Sequence, residues 1–207
     1  MSITLIIIIV TVIISFIAFN NESLKYKLAF SPYSYKHNNS WWQIISHGFV
    51  HADTMHLLFN MYVLYIFGEV VEIYFIENSS IGILFFLSLY IGGLLFAAMP
   101  ALIKHNENPN YISLGASGAV SSLVFTFIVL DPLREMGIIF LPGVWIPGFI
   151  FGALYLLAEH YMNKKAKTNI AHDAHIAGAI FGLIYIGFYD YHNYLNFFNT
   201  IANYLNI

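Results

Sequence analysis

Apolar residues occur along this chain in six long blocks, approximately Ile3–Phe19, Met55–Tyr74, Ile81–Ile103, Leu114–Leu130, Gly137–Leu157 and His175–Phe188, separated by polar intervals. The blocks are continuous and do not alternate, as in the run Ile81-Gly-Ile-Leu-Phe-Phe-Leu. A hydrocarbon core of about 30 Å takes about 20 helical residues to cross, whereas a barrel strand shows about ten residues of strict alternation. The pattern therefore predicts an all-α membrane protein with six transmembrane helices in a single domain spanning residues 1–207. The first block lacks a basic flank and is followed by Phe19-Asn20-Asn21-Glu22-Ser23, so it reads as a retained helix and not as a cleaved leader.

The intervals between blocks are uneven. Asn20 to Asp53 is the longest and carries Tyr33, Tyr35, Trp41 and Trp42, aromatic residues that favour the membrane–water boundary. A connection of that size carries structure or function of its own. The fourth block is 17 residues, about 25 Å as a helix. That is short of the core thickness, so this helix is expected to start below the surface, at the floor of a depression open to water. Pro142 and Pro147 interrupt the fifth block, which is expected to be bent or loosely packed. The tail from Tyr191 to Ile207 places Leu195, Phe198, Ile201 and Leu205 at helical spacing, which suits an interfacial helix or a frayed end.

Composition agrees with the membrane reading and removes several functions. The 207 residues are 59% hydrophobic and 9% charged, with no cysteine and a net charge of −3. A thiol nucleophile, a disulfide and a thiolate metal site are excluded. No basic cluster exceeds Lys164-Lys165-Ala166-Lys167, which gives no support for nucleic-acid binding.

Within this apolar chain a few polar residues stand out. Gly115-Ala116-Ser117-Gly118 lies where a polar loop gives way to the fourth block. A serine at a helix start is flanked by unpaired amides that can stabilise an oxyanion, while the same small residues also suit close helix packing. His175 leads the sixth block, with Gly178 and Gly182 at i+3 and i+7 on its face, so its helix can press against a neighbour. An imidazole there can serve as base to a hydroxyl or as a hydrogen-bonded helix end. His56 and Asn60 sit one turn apart in the second block and can either complete an oxyanion hole or bond helix to helix. Asp173 is two residues before His175, on a different helical face, and reads as a helix cap. His51, His56, His172 and His175 have no His-Glu-x-x-His spacing and no cysteine beside them, so no metal is expected.

Together Gly115-Ala116-Ser117-Gly118, His56-Leu57-Leu58-Phe59-Asn60 and Ala174-His175 with Gly178 and Gly182 resemble the rhomboid family of intramembrane serine proteases, over about residues 40–190. The resemblance implies a six-helix rhomboid-like bundle in which Ser117 is nucleophile and His175 general base, a dyad without an acid. It further implies an oxyanion hole of His56, Asn60 and the Ser117 amide. Gly115, Gly118, Gly178 and Gly182 would support the site, and no cofactor is implied. Partners would be the lipid bilayer and single-span membrane proteins, admitted near Phe59, the fifth block and the loop Glu159–Asp173. The implied location is a bacterial inner membrane. Three features depart from the family pattern: Trp42-Gln43 stands where Trp-Arg is common, and Ser121 where an aromatic often steadies the histidine. Thirdly, Lys25, Lys27, Lys36, Lys104, Lys164, Lys165 and Lys167 fall on the active-site side against Arg134 alone opposite, which predicts a cytoplasmic site where the family usually faces outward. Two other functions fit the same composition: a non-catalytic helix-binding protein and a small-solute carrier. The latter calls for paired intramembrane charges or an internal repeat, and neither is visible.

Overall fold

The computed structural model describes residues 1–137, 143–165 and 171–207, with Lys165 described by its backbone alone. It is mostly helical. The first block forms α1 (Ile3–Phe19), whose buried residues Thr4, Ile7, Thr11, Ser15 and Ala18 make one small, largely polar stripe. Ile6, Ile9, Val10, Ile13, Phe16 and Ile17 point outward. That is the reverse of a soluble helix and follows from the solvent. Lipid accepts the branched residues, and the hydroxyls of Thr4 and Ser15 find partners inside, while that of Thr11 has none among the described residues.

The long first interval folds into α2 (Glu22–Leu28), α3 (Pro32–His37) and α4 (Gln43–Ser46), closed by a 3-10 turn at His47–Phe49. Trp41 and Trp42 are exposed on it. A two-way backbone bridge ties this region to the segment before Ser117: Phe30 N–H donates to Ser113 O (2.8 Å) and Ser113 N–H to Phe30 O (2.9 Å).

The second block is one helical path, α5 (Thr54–Val63), a π turn at Leu64–Gly68 and α6 (Glu69–Asn78). Asp53 starts it by accepting from His56 N–H at 2.8 Å, a regular N-cap. α7 (Gly82–His105) follows, with Pro100 inside it. Among the described residues, Thr54–Asn78 and Gly82–His105 are long and apolar enough to cross a membrane. α8 (Ser117–Leu130) is shorter, about 21 Å at 1.5 Å per residue, and every residue from Gly118 to Val129 is buried. It is the central element, with α7 and α10 (His172–Tyr189) as its main neighbours.

The fifth block departs from expectation. Glu135–Gly137 (β1) pairs antiparallel with Trp145–Pro147 (β2), Met136 opposite Ile146. Helix α9 then runs from Gly148 to Lys165. Pro147 precedes the helix, a position where its missing N–H costs nothing, so it does not bend the fifth helix. Pro142 lies outside the described residues. The helix also continues two turns past the apolar block, so Glu159 to Lys165 are helical and not loop. The tail forms α11 (His192–Leu205), with Leu195, Phe198 and Leu205 exposed and Ile201 half-buried.

Two buried contacts fix the frame. Glu72 is 3% exposed. It accepts Ile3 N–H (2.7 Å), Thr4 N–H (2.8 Å) and Thr4 Oγ1–H (2.7 Å), capping α1 with a carboxylate from α6. On the other side of the core, the α-carbons of Gly178 and Gly182 lie against the carbonyls of Gly118 and Ser122. A methyl at either glycine would overlap backbone atoms that no rotamer change can move. Gly182→Ala is therefore expected to cost about 1–3 kcal/mol, read as a lower unfolding midpoint in detergent; an unchanged midpoint contradicts the close backbone contact.

Candidate active site

The site begins with the start of α8. Gly115 has φ +113°, a conformation that side chains disfavour. A Cβ there would fall 2.6 Å from His56 Cε1, so the His56 ring covers this glycine. Gly115 N–H donates to His47 O (2.9 Å), and Ala116 N–H donates to His51 Nε2 (3.3 Å). Val120 is the first α8 amide to bond back, to Ala116 O at 2.9 Å. Ala116 caps the helix with no side-chain bond, so the amides of the first turn remain directed outward beside the Ser117 hydroxyl.

Ser117 Oγ lies 2.8 Å from His175 Nε2. The two residues are 58 positions apart and meet because α8 and α10 approach at backbone contact through Gly118 and Gly178. His175 is in the first turn of α10 and its side chain is 16% exposed.

A carboxylate stands behind that histidine. Glu159, on α9 and only 6% exposed, places Oε1 3.0 Å from His175 Nδ1 and Oε2 2.7 Å from His172 Nδ1. This corrects the expectation of a dyad without an acid. The physical reason is the extra length of α9, which carries Glu159 alongside α10. Asp173 has no part in it. Asp173 lies in the first turn of α10, with Ala171 at the cap position, and pairs with Lys104 Nζ at 2.8 Å. Its carboxylate still faces the positive end of the helix.

Of the other predicted residues, His56 lies against Gly115. Asn60 is buried, and its Nδ2 donates to His56 O at 2.9 Å, which leaves its second amide hydrogen free of that bond. Phe59 is half-buried on α5, one residue before Asn60. Ser121 is one turn below Ser117, and its Oγ lies 3.2 Å from the Tyr155 hydroxyl of α9. An aromatic is thus supplied to this region from a neighbouring helix. Glu159, His172 and His175 bring ligand atoms within 4.8 Å of one another, a set that could hold a metal ion. The Nδ1 atoms that would bind it are the ones bonded to Glu159.

Sequence reading also missed the structural role of His51, which is fully buried. Its Nε2 accepts from Ala116 N–H, so its Nδ1 carries the hydrogen and donates to Ser15 Oγ (3.0 Å), which donates in turn to Phe49 O (2.9 Å). This relay fastens the residue before the serine to α1. A histidine 65 positions away in sequence gives no local sign of it.

Comparison with known proteins settles the family. Residues 38–191 match the Rhomboid domain. The chain belongs to the rhomboid family, which is embedded in membranes. It is 28% identical over 173 residues to the rhomboid protease GlpG of Haemophilus influenzae, covering 82% of this chain and 79% of that one. Over 142 residues it is 30% identical to the mitochondrial presenilin-associated rhomboid-like protein A of Danio rerio, 68% of this chain and 35% of the relative. With the chloroplastic rhomboid-like protein 11 of Arabidopsis thaliana it shares 29% over 165 residues, 75% and 55% of the two chains. The chain thus spans about a third and about half of the length of these last two relatives.

The buried histidines before α5 give a pH test of the frame. Burial pulls His47 down to about 4. Burial, and then the neighbouring His56, pull His51 down to about 3. Unfolded, each takes up a proton near 6.5. Below that pH the unfolded chain binds more protons, so stability is complete above about 6.5 and falls as pH drops towards 4, by up to about 1.4 kcal/mol per pH unit per histidine. Thermal unfolding in detergent should show a midpoint lower at pH 5 than at pH 7.5, with a shallower decline in His51→Gln; a midpoint independent of pH contradicts the assignment.

Proposed function

We propose that the chain is an intramembrane serine protease that cuts transmembrane segments of single-span proteins, working from a six-helix bundle in a bacterial inner membrane. The observation that carries this is the 2.8 Å contact of Ser117 Oγ with His175 Nε2 at the open N-terminus of a central helix too short to fill the bilayer. A hydroxyl bonded to an imidazole, next to unpaired amides, is the arrangement needed for acyl transfer. Similarity to the Haemophilus rhomboid protease, over most of both chains, supports the same class of reaction.

In this reading Ser117 passes its proton to His175 Nε2 as Oγ attacks the scissile carbonyl. The carbonyl oxygen gains the electron pair and is held by the Ser117 N–H with donors from His56 and Asn60. His175 then gives the proton to the departing amine, leaving an acyl-serine. Water, deprotonated by the same Nε2, releases the second product and restores Ser117. The Gly115–His56 contact matters here because it holds the imidazole of His56 next to the loop that bears the nucleophile. Segments entering this site must expose a carbonyl, so substrates whose helices are weakened by small or helix-breaking residues are favoured.

Purified protein in detergent or bilayer should cleave a single-span reporter, while Ser117→Ala and His175→Ala should fall to background. A fluorophosphonate should label Ser117 in the parent protein and not in Ser117→Ala. Asn60→Ala and His56→Ala should each slow cleavage by roughly 10- to 1000-fold. Equal cleavage by all variants, or no cleavage while reporter binding persists, would replace the protease reading with that of a helix-binding protein.

A further inference from the structure

Resting on the protease reading, we propose that Glu159 is a positioning residue for His175, held in place by His172 and delivered by α9. With Glu159 ionised, the bonding pattern follows from chemistry at each atom. A carboxylate only accepts, so both imidazoles donate to it from Nδ1. His175 is thereby held in the tautomer whose Nε2 is a free acceptor, the form that can bond the Ser117 hydroxyl and take its proton. His172 occupies the second oxygen at 2.7 Å, so the carboxylate cannot rotate away without breaking a buried bond.

The supporting helix shows the same alignment. Gly152, Tyr155 and Glu159 are spaced i, i+3, i+7 and share the inner face of α9. Gly152 packs near Phe125 and Ile128, Tyr155 reaches Ser121, and Glu159 reaches the histidines. The opposite face, with Ile150, Leu154, Leu157 and Tyr161, is exposed. Among the described residues the ionisable groups that face His175 are Glu159 from α9, His172 from its own helix and His56 from α5, with Tyr155 beside Glu159; Asp173, beside it in sequence, is paired with Lys104. Glu159 is the one whose carboxylate meets Nδ1 at hydrogen-bond distance among the described residues. Its negative charge also favours the imidazolium that forms when Ser117 is deprotonated.

The test measures fluorophosphonate labelling of Ser117 against pH in the full chain, in Glu159→Gln, Glu159→Ala and His172→Phe, with unfolding midpoints recorded for each. Both Glu159 variants are expected to label roughly 10- to 1000-fold more slowly at the plateau. Their acidic limb should move to lower pH, because the imidazolium has lost its anion. His172→Phe should show a smaller change in the same direction. A folded Glu159 variant with unchanged rate and unchanged limb overturns the proposal, and a slower rate with an unmoved limb reduces Glu159 to a strut between helices. Histidine nitrogen chemical shifts in the unsubstituted protein supply a readout that needs no stable Glu159 variant: His175 is expected to carry its proton on Nδ1, and an Nε2-protonated form overturns the proposal. If the parent protein neither labels nor cleaves, the protease reading fails, while the tautomer measurement still decides whether Glu159 orients His175.

Discussion

Gly178 and Gly182 let α10 lie with its backbone against the carbonyls of Gly118 and Ser122 on α8, at a separation that admits no side chain. Every chemical feature of the site depends on this approach. Ser117 is one residue from the first contact and His175 three residues from it. Their side chains therefore meet without any long arm that could swing. Between membrane helices lipid competes on equal terms for apolar surface, so association relies on close packing and not on hydrophobic burial. Small residues at the seam are the means, and they seat α8 against α10 with Gly118 to Val129 buried.

The same solvent explains where the buried polar groups went. With no water in the hydrocarbon region, each must be satisfied within the protein. Glu72 meets this by capping α1, whose first amides lack partners in their own helix. His51 meets it by linking Ala116 to Ser15, and through Ser15 to Phe49. These bonds join α1, the folded first interval and the nucleophile loop into one frame. The frame leaves the first turn of α8 without a side-chain cap, next to the Ser117 hydroxyl.

Residue patterns revealed the parts of the protein that obey local rules. Gly-Ala-Ser-Gly at a polar-to-apolar boundary gave the start of α8, and the 175/178/182 spacing gave the face of α10 that meets it. Hydropathy failed where helix and apolar block have different ends. It stopped at Leu157 because Glu159, His160, Asn163 and Lys164 are polar, yet α9 continues through them and Glu159 was taken for loop. It began the fifth block at Gly137, the last residue of β1, and so took β2 into the span. Glu72 lay within a predicted span and carried a readable signal, since an ionisable group there needs a partner. His51 offered none, because its partners come from α1 and from the serine loop.

Two different sets of contacts thus hold the two halves of the proposed reaction centre. The separation of Ser117 from His175 is fixed by backbone contact between α8 and α10. The orientation of the imidazole is set by a carboxylate on a third helix, α9, whose inner face meets the core through Gly152, Tyr155 and Glu159. A displacement of α9 would leave serine and histidine adjacent while removing the acceptor that keeps the proton on Nδ1. The neutral imidazole would then be free to place its hydrogen on Nε2, where it faces the hydroxyl as a donor and cannot act as base. In the proposed protease the same Glu159 carboxylate is thus both a contact between α9 and α10 and the group that orients His175.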